Sequence, residues 1–141
     1  MDFRILNFDE GVFMENKDFV VPKNKEITVN VNLRPVFRYT LDSDVVVCQL
    51  TLTYFQEETE LLRYGFAVAS AIKGWPGFIH SKPEKETIIN NIWDVWNASV
   101  NVGRGVFIEK IKDTEFKQFL STEIPVERIG AILRLEQVEK K

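Results

Sequence analysis

Val45-Val46-Val47-Cys48-Gln49-Leu50-Thr51-Leu52-Thr53-Tyr54-Phe55, a polar run Gln56-Glu57-Glu58-Thr59-Glu60, and then Leu61-Leu62-Arg63-Tyr64-Gly65-Phe66-Ala67-Val68-Ala69-Ser70-Ala71-Ile72 form the stretch that decides the fold. Residues 45–55 are rich in β-branched and aromatic side chains, which favour extended backbone. The polar run breaks them, and residues 61–72 return as a partner, so the stretch reads as a long β-hairpin. The return strand is lopsided. Leu62, Tyr64, Phe66, Val68 and Ile72 fall on one face, and Gly65, Ala67, Ala69 and Ala71 on the other. Small residues in a row admit a helix at close range. The expectation is therefore a helix on the alanine face and an assembly or partner surface for the bulky one.

Working outward toward the N-terminus, Ile27, Val29, Val31 and Leu33 alternate with Thr28, Asn30, Asn32 and Arg34, a period-2 pattern with one dry face. Pro35 limits its continuation toward Val36 and Phe37 to a sheet edge or a bulge. Phe3 to Phe8 and Val12 to Met14, broken by Asp9-Glu10-Gly11, read as one long strand with a bulge or as two short ones.

Toward the C-terminus the period changes. Ser81-Lys82-Pro83-Glu84 has capping-box spacing with Pro83 in the first turn. Ile88, Ile89, Ile92, Trp93, Trp96 and Val100 then recur at helical spacings, and Gly103-Arg104-Gly105 reads as the stop. Ile108, Ile111, Phe116, Phe119 and Leu120 mark a further element. Pro125 opens a final helix carrying Ile129, Ile132, Leu133 and Val138 against Glu127, Arg128, Arg134 and Glu136. Four strands followed by helices predict an α+β domain, a four-stranded antiparallel sheet with helices packed on one face, spanning residues 1–141.

Composition narrows the function. With 141 residues, 45% hydrophobic and only 28% charged, the chain can bury a core, which excludes a disordered tail. Its apolar runs are far shorter than the ~20 residues of a membrane-spanning helix, and Met1-Asp2-Phe3-Arg4 has no secretory pattern, so a cytoplasmic location is expected. Eighteen basic and 21 acidic residues give a net charge of −3 with no basic run beyond Lys140-Lys141, which argues against nucleic acid. The single cysteine, Cys48, is in phase with Val46, Leu50 and Leu52 and reads as core. The single histidine, His80, has no second His or Cys with which to share a metal. Glu57, Glu58 and Glu60 read as a solvated turn between strands, without the burial or close like charge that a general acid needs. No nucleophile–base pair can be assembled, so no enzyme and no cofactor is expected.

The aromatic segment Trp75-Pro76-Gly77-Phe78-Ile79-His80, between the last strand and the helix, either packs beneath a loop or lines an apolar groove.

In order and spacing, the chain resembles the SecB family of protein-export chaperones over nearly its whole length. The resemblance runs from Val12-Phe13-Met14-Glu15-Asn16 and Ile27-Thr28-Val29-Asn30-Val31 to the hairpin, with its Thr51-Leu52-Thr53, Glu57-Glu58-Thr59 and Gly65-Phe66-Ala67-Val68. It continues through Gly103-Arg104-Gly105-Val106-Phe107 and Ile124-Pro125-Val126. It implies a non-enzymatic, ATP-independent protein that binds unfolded polypeptides along apolar grooves, as a homo-oligomer (dimer or dimer of dimers), in export or for a dedicated client such as a toxin–antitoxin pair. Candidate polypeptide-binding residues are Trp75, Phe78, Ile79, Trp93 and Trp96, the two helix tryptophans having core packing against Ala67, Ala69 and Ala71 as their alternative. Leu62, Tyr64, Phe66 and Glu15 are candidates for the oligomer or partner surface. The family's acidic docking surface for the translocase motor ATPase is matched at Glu15, whereas Gly11 and Tyr64 replace its other acids. The insertion between the first two strands is shortened to Lys17 through Lys25, and the helix 91–96 lacks the family's proline motif. A second reading is a small apolar-ligand pocket between sheet and helix.

Overall fold

A computed structural model describes residues 1–19, 29–114, 116 and 131–138. Five strands form one mixed sheet: β1 (Phe3–Glu15), β2 (Asn30–Tyr39), β3 (Val45–Gln56), β4 (Thr59–Ile72) and β5 (Arg134–Gln137). Helices α1 (Trp75–His80) and α2 (Lys85–Ile111) follow β4 in the chain. The spatial order is β1-β4-β3-β2-β5, with β1 at one edge.

The hairpin forms as its composition demands. β3 and β4 pair antiparallel from Val45↔Ala71 to Gln56↔Thr59, turning at Glu57-Glu58. β1 is a single strand whose register slips between Ile5 and Asn7 and again between Glu10 and Phe13, so the interruption at Asp9-Glu10-Gly11 is a bulge in one long strand and not a break between two short ones. β2 runs on through Pro35 to Tyr39, and its expected start at Ile27 lies outside the described residues. Pro35 is tolerated because β5 joins only at Val36, so the missing N–H falls where β2 is still an edge.

Several expectations change. The sheet is not four antiparallel strands: β5 pairs parallel to β2, from Val36↔Arg134 to Tyr39↔Gln137. Residues 134–137 were expected to be helical, but Leu133 and Leu135 turn inward while Arg134 lies exposed, a period of two. Pro125, Ile129 and their neighbours, with Phe119 and Leu120, lie outside the described residues.

The helix covers the bulky face of β4, not the alanine face. Leu62, Tyr64, Phe66, Val68 and Ile72 are all buried, and Tyr64 meets Phe107 of α2 at 5.1 Å between ring centroids. Large side chains provide more apolar area to remove from water, roughly 1.5–3 kcal/mol each, and that outweighs the closer backbone approach that alanines allow.

Nor does α2 stop at Gly103-Arg104-Gly105; it continues to Ile111, taking in Ile108. Its start also differs, since Glu84 is the N-cap without a side-chain bond and the Ser81 hydroxyl donates to the Phe78 carbonyl instead. Finally, Trp75–His80 is a short helix, entered through Gly74 at φ 80° and opened by Pro76.

Candidate functional site

The sheet and its two helices place the candidate residues in three settings. At the first, α1 brings Trp75 into the core, where its ring lies 5.5 Å from both Phe37 and Tyr39 and 5.6 Å from Phe78, centroid to centroid. Its indole N–H donates to the Thr40 carbonyl at 3.3 Å. Trp75 is fully buried and Ile79 nearly so, which leaves Phe78 as the half-buried member of the segment. Beside α1 a shallow groove of about 240 Å³ runs between Tyr39, Leu41, Ile79 and Ile88, rimmed by His80 and Lys82. His80 Nε2 stands 3.7 Å from an Asp42 carboxylate oxygen at the surface. The helix tryptophans divide: Trp96 is buried, its indole N–H unmatched by an acceptor, and Trp93 is half-buried.

At the second setting, Leu62, Tyr64 and Phe66 lie beneath α2 and are closed to an outside partner within this protomer. Glu15 sits on the same side of the sheet, opposite Leu62, beside a groove of about 230 Å³ that Met14, Leu61 and Leu62 also line. The space between sheet and α2 is filled by rings: Phe107 stacks on Tyr54 at 5.8 Å and on Tyr64 at 5.1 Å.

The third setting was not foreseen from sequence. β1 is thirteen residues long and, among the described residues, pairs with β4 along one side only. It exposes Ile5 (38%), Leu6 (44%) and Met14 (51%) and carries neither Lys nor Pro, so what guards the edge is its two bulges and the charges of Arg4, Asp9, Glu10 and Glu15. The composition of β1 was legible, but its place at the edge follows from the order of pairing, which no local pattern encodes.

Burial pushes the Cys48 thiol up to about 12, against a smaller opposing pull from the Ser99 hydroxyl. Burial raises the Tyr64 phenol as well, with the Glu10 carboxylate adding to it. Burial likewise takes Tyr54 up to about 12, Arg104 opposing. Among the described residues no three His, Cys, Asp or Glu side chains converge as a metal site, and no helix is long and apolar enough to cross a membrane.

No protein-family model matches this chain. No curated protein matches its sequence. Among solved structures, it is similar to a Mycobacterium tuberculosis SecB-like chaperone in complex with a ChAD peptide from the HigA1 antitoxin, at a TM-score of 0.41 and 9% identity. That alignment covers 50% of this chain and 54% of the other, so the chain spans about half the length of the structure it matches.

Proposed function

We propose that this protein is a SecB-like, ATP-independent chaperone of the cytoplasm that binds non-native polypeptides in extended form, without catalysis. The observation that carries the reading is the long edge of β1, which has neither Lys nor Pro and exposes Ile5, Leu6 and Met14. An edge strand offers a row of free N–H and C=O groups, and an extended chain satisfies them by adding a strand. Apolar side chains of the client then gain roughly 25 cal/mol per Å² against the exposed edge residues. The spacing of the hairpin and of the strands around it, which resembles the SecB pattern, supports the same reading. Phe78 and Trp93 are the aromatic candidates with surface left to offer a client; self-association into a homo-oligomer competes for the β1 edge.

The test is light scattering of a chemically reduced, unfolded model protein with and without this chain at equimolar ratio. Suppressed aggregation and a complex of defined mass are expected. Aggregation that proceeds equally in both samples overturns the proposal.

A further inference from the structure

The sheet has a second face, turned away from α2. Residues directly opposite across paired strands share a face, and Phe37, Cys48 and Val68 mark the helix-covered one. The intervening positions Arg4, Arg34, Arg38, Arg63 and Arg134 therefore project from the other side. These are five of the chain's seven arginines; Arg104 lies on α2 and Arg128 outside the described residues. No strand contains a lysine.

The distribution is uneven within that face. Arg34 and Arg38 flank Val36 on β2, and Arg134 stands opposite Val36 on β5. One carboxylate answers the three guanidinium groups, Glu136 at 3.5 Å from Arg38. Arg63 is held by Glu60 at 2.6 Å, while Arg4, Arg34 and Arg134 make no ion pair among the described residues. Like charges on neighbouring strands destabilise a sheet by themselves. A chain with net charge −3 that gathers arginines in this way has local attraction for anions in spite of its overall sign.

At Arg38 the same face opens a hollow of about 400 Å³, lined by Val45, Val47, Val138 and Tyr39 with Thr40 and Ser43 beside them. Val45 and Val138 are both exposed. Beyond it the floor is Ala67 and Ala69, small enough for another backbone to lie close.

We propose that this face docks an acidic, extended polypeptide segment bearing one large apolar side chain. Its carboxylates engage Arg34, Arg38 and Arg134, and its apolar residue fills the hollow at Val45, Val47 and Val138. Arginine suits this role because its planar fork grips a carboxylate through two parallel hydrogen bonds, which a lysine cannot do. A polypeptide fits better than nucleic acid, since the floor around the arginines is Val36, Val47, Gln49 and Ala67 and Tyr39 is the one ring lining the hollow among the described residues, whereas a single strand is held by several rings on which successive bases stack. The site lies on the sheet surface rather than along the β1 edge, so it stands whether or not unfolded chains are held there.

The test is fluorescence anisotropy with a labelled dodecapeptide of alternating Glu and Ala around a central Leu. Its Gln-for-Glu and Ser-for-Leu versions, an oligothymidylate and phosphatidylserine vesicles are the comparison probes. The acidic peptide should bind at low salt and weaken as salt rises. Its affinity should fall roughly tenfold, about 1.4 kcal/mol, in the Gln peptide and in the Arg34→Gln/Arg134→Gln variant, whose folding is verified by circular dichroism. The Ser peptide should also bind more weakly. Equal binding of the acidic and Gln peptides, or unchanged affinity in the double variant, overturns the proposal. So does Arg34- and Arg134-dependent binding of the oligonucleotide or the vesicles in the peptide's stead.

Discussion

Gly103 of α2 lies so close to Phe66 of β4 that a Cβ on Gly103 would stand 2.2 Å from the ring's Cζ. The glycine is a point of contact between helix and sheet, in the interior of the helix it was expected to end. Phe66 cannot easily give way, because its ring is stacked on Phe8 at 5.9 Å and tilted against Tyr64 at 5.8 Å. Two residues along the helix, Gly105 has open space where its Cβ would be.

The pair makes opposite predictions for one substitution. Gly103→Ala should destabilise the fold by about 1–3 kcal/mol through overpacking, more than the helix propensity it gains. Gly105→Ala should stabilise by about 0.5–1 kcal/mol. Urea midpoints of the two variants measure both; a Gly103→Ala protein as stable as the parent would mean that α2 does not seat on Phe66.

These glycines also show what was readable before the structure. The second strand and the amphipathic helix announce themselves by period, because a strand or helix must repeat its apolar face to bury it, and the hairpin by its β-branched and aromatic runs on either side of a polar turn. A glycine has no such periodicity. Its reading as a stop or as a contact depends on a ring far away in sequence, so Gly103 could only be resolved by the packing. The same holds for Leu133 and Leu135, two inward positions in a strand of four residues, too short for period-2 alternation to stand out from a helix. For the candidate site, the residue types were legible and their accessibility was not: an exposed aromatic and a buried one look alike in a sequence. The arginine face was invisible for a related reason, since its members come from four strands and form no run.

Trp75 carries the second prediction. As a groove residue it could be truncated without harm to the fold, but its ring is wedged among Phe37, Tyr39 and Phe78 and its N–H is bonded to Thr40. Trp75→Ala should therefore cost about 3–5 kcal/mol. Phe78→Ala, at a half-buried position, should cost clearly less. Thermal unfolding of both variants is the measurement. A Trp75→Ala protein melting with the parent would return this residue to the surface.

The raised Tyr64 phenol adds to a response to alkaline pH that Cys48 and Tyr54 lead. Both groups are held up to about 12 in the folded protein by burial, above the ordinary values near 8.5 and 10 that they regain on unfolding. The folded state thus keeps protons that the unfolded state releases, so stability is whole below the free thiol's value and falls as pH climbs toward 12. Each group contributes a loss of about 1.4 kcal/mol per pH unit while only its unfolded form is ionised. Urea unfolding across the alkaline range should show this decline, and Cys48→Ala should make it shallower between the thiol's and the phenol's ordinary values. An identical slope in parent and variant would place the thiol in contact with solvent.

The last prediction concerns the β1 edge, where function and self-association compete. Leu6 and Met14 are largely exposed, and Lys is the residue that discourages an added strand. Leu6→Lys with Met14→Lys should change folding stability by no more than about 0.5 kcal/mol for each exposed position. It should nevertheless abolish the suppression of aggregation seen with an unfolded model protein. Mass in solution, measured on the same samples, separates the two occupants of the edge. Capture lost with mass unchanged assigns the edge to the client. Capture and mass falling together assigns it to a second copy whose pairing builds the client surface. Capture that survives both lysines, in a protein that is still folded, removes β1 from the binding site and shifts the search to the half-exposed rings of Phe78 and Trp93.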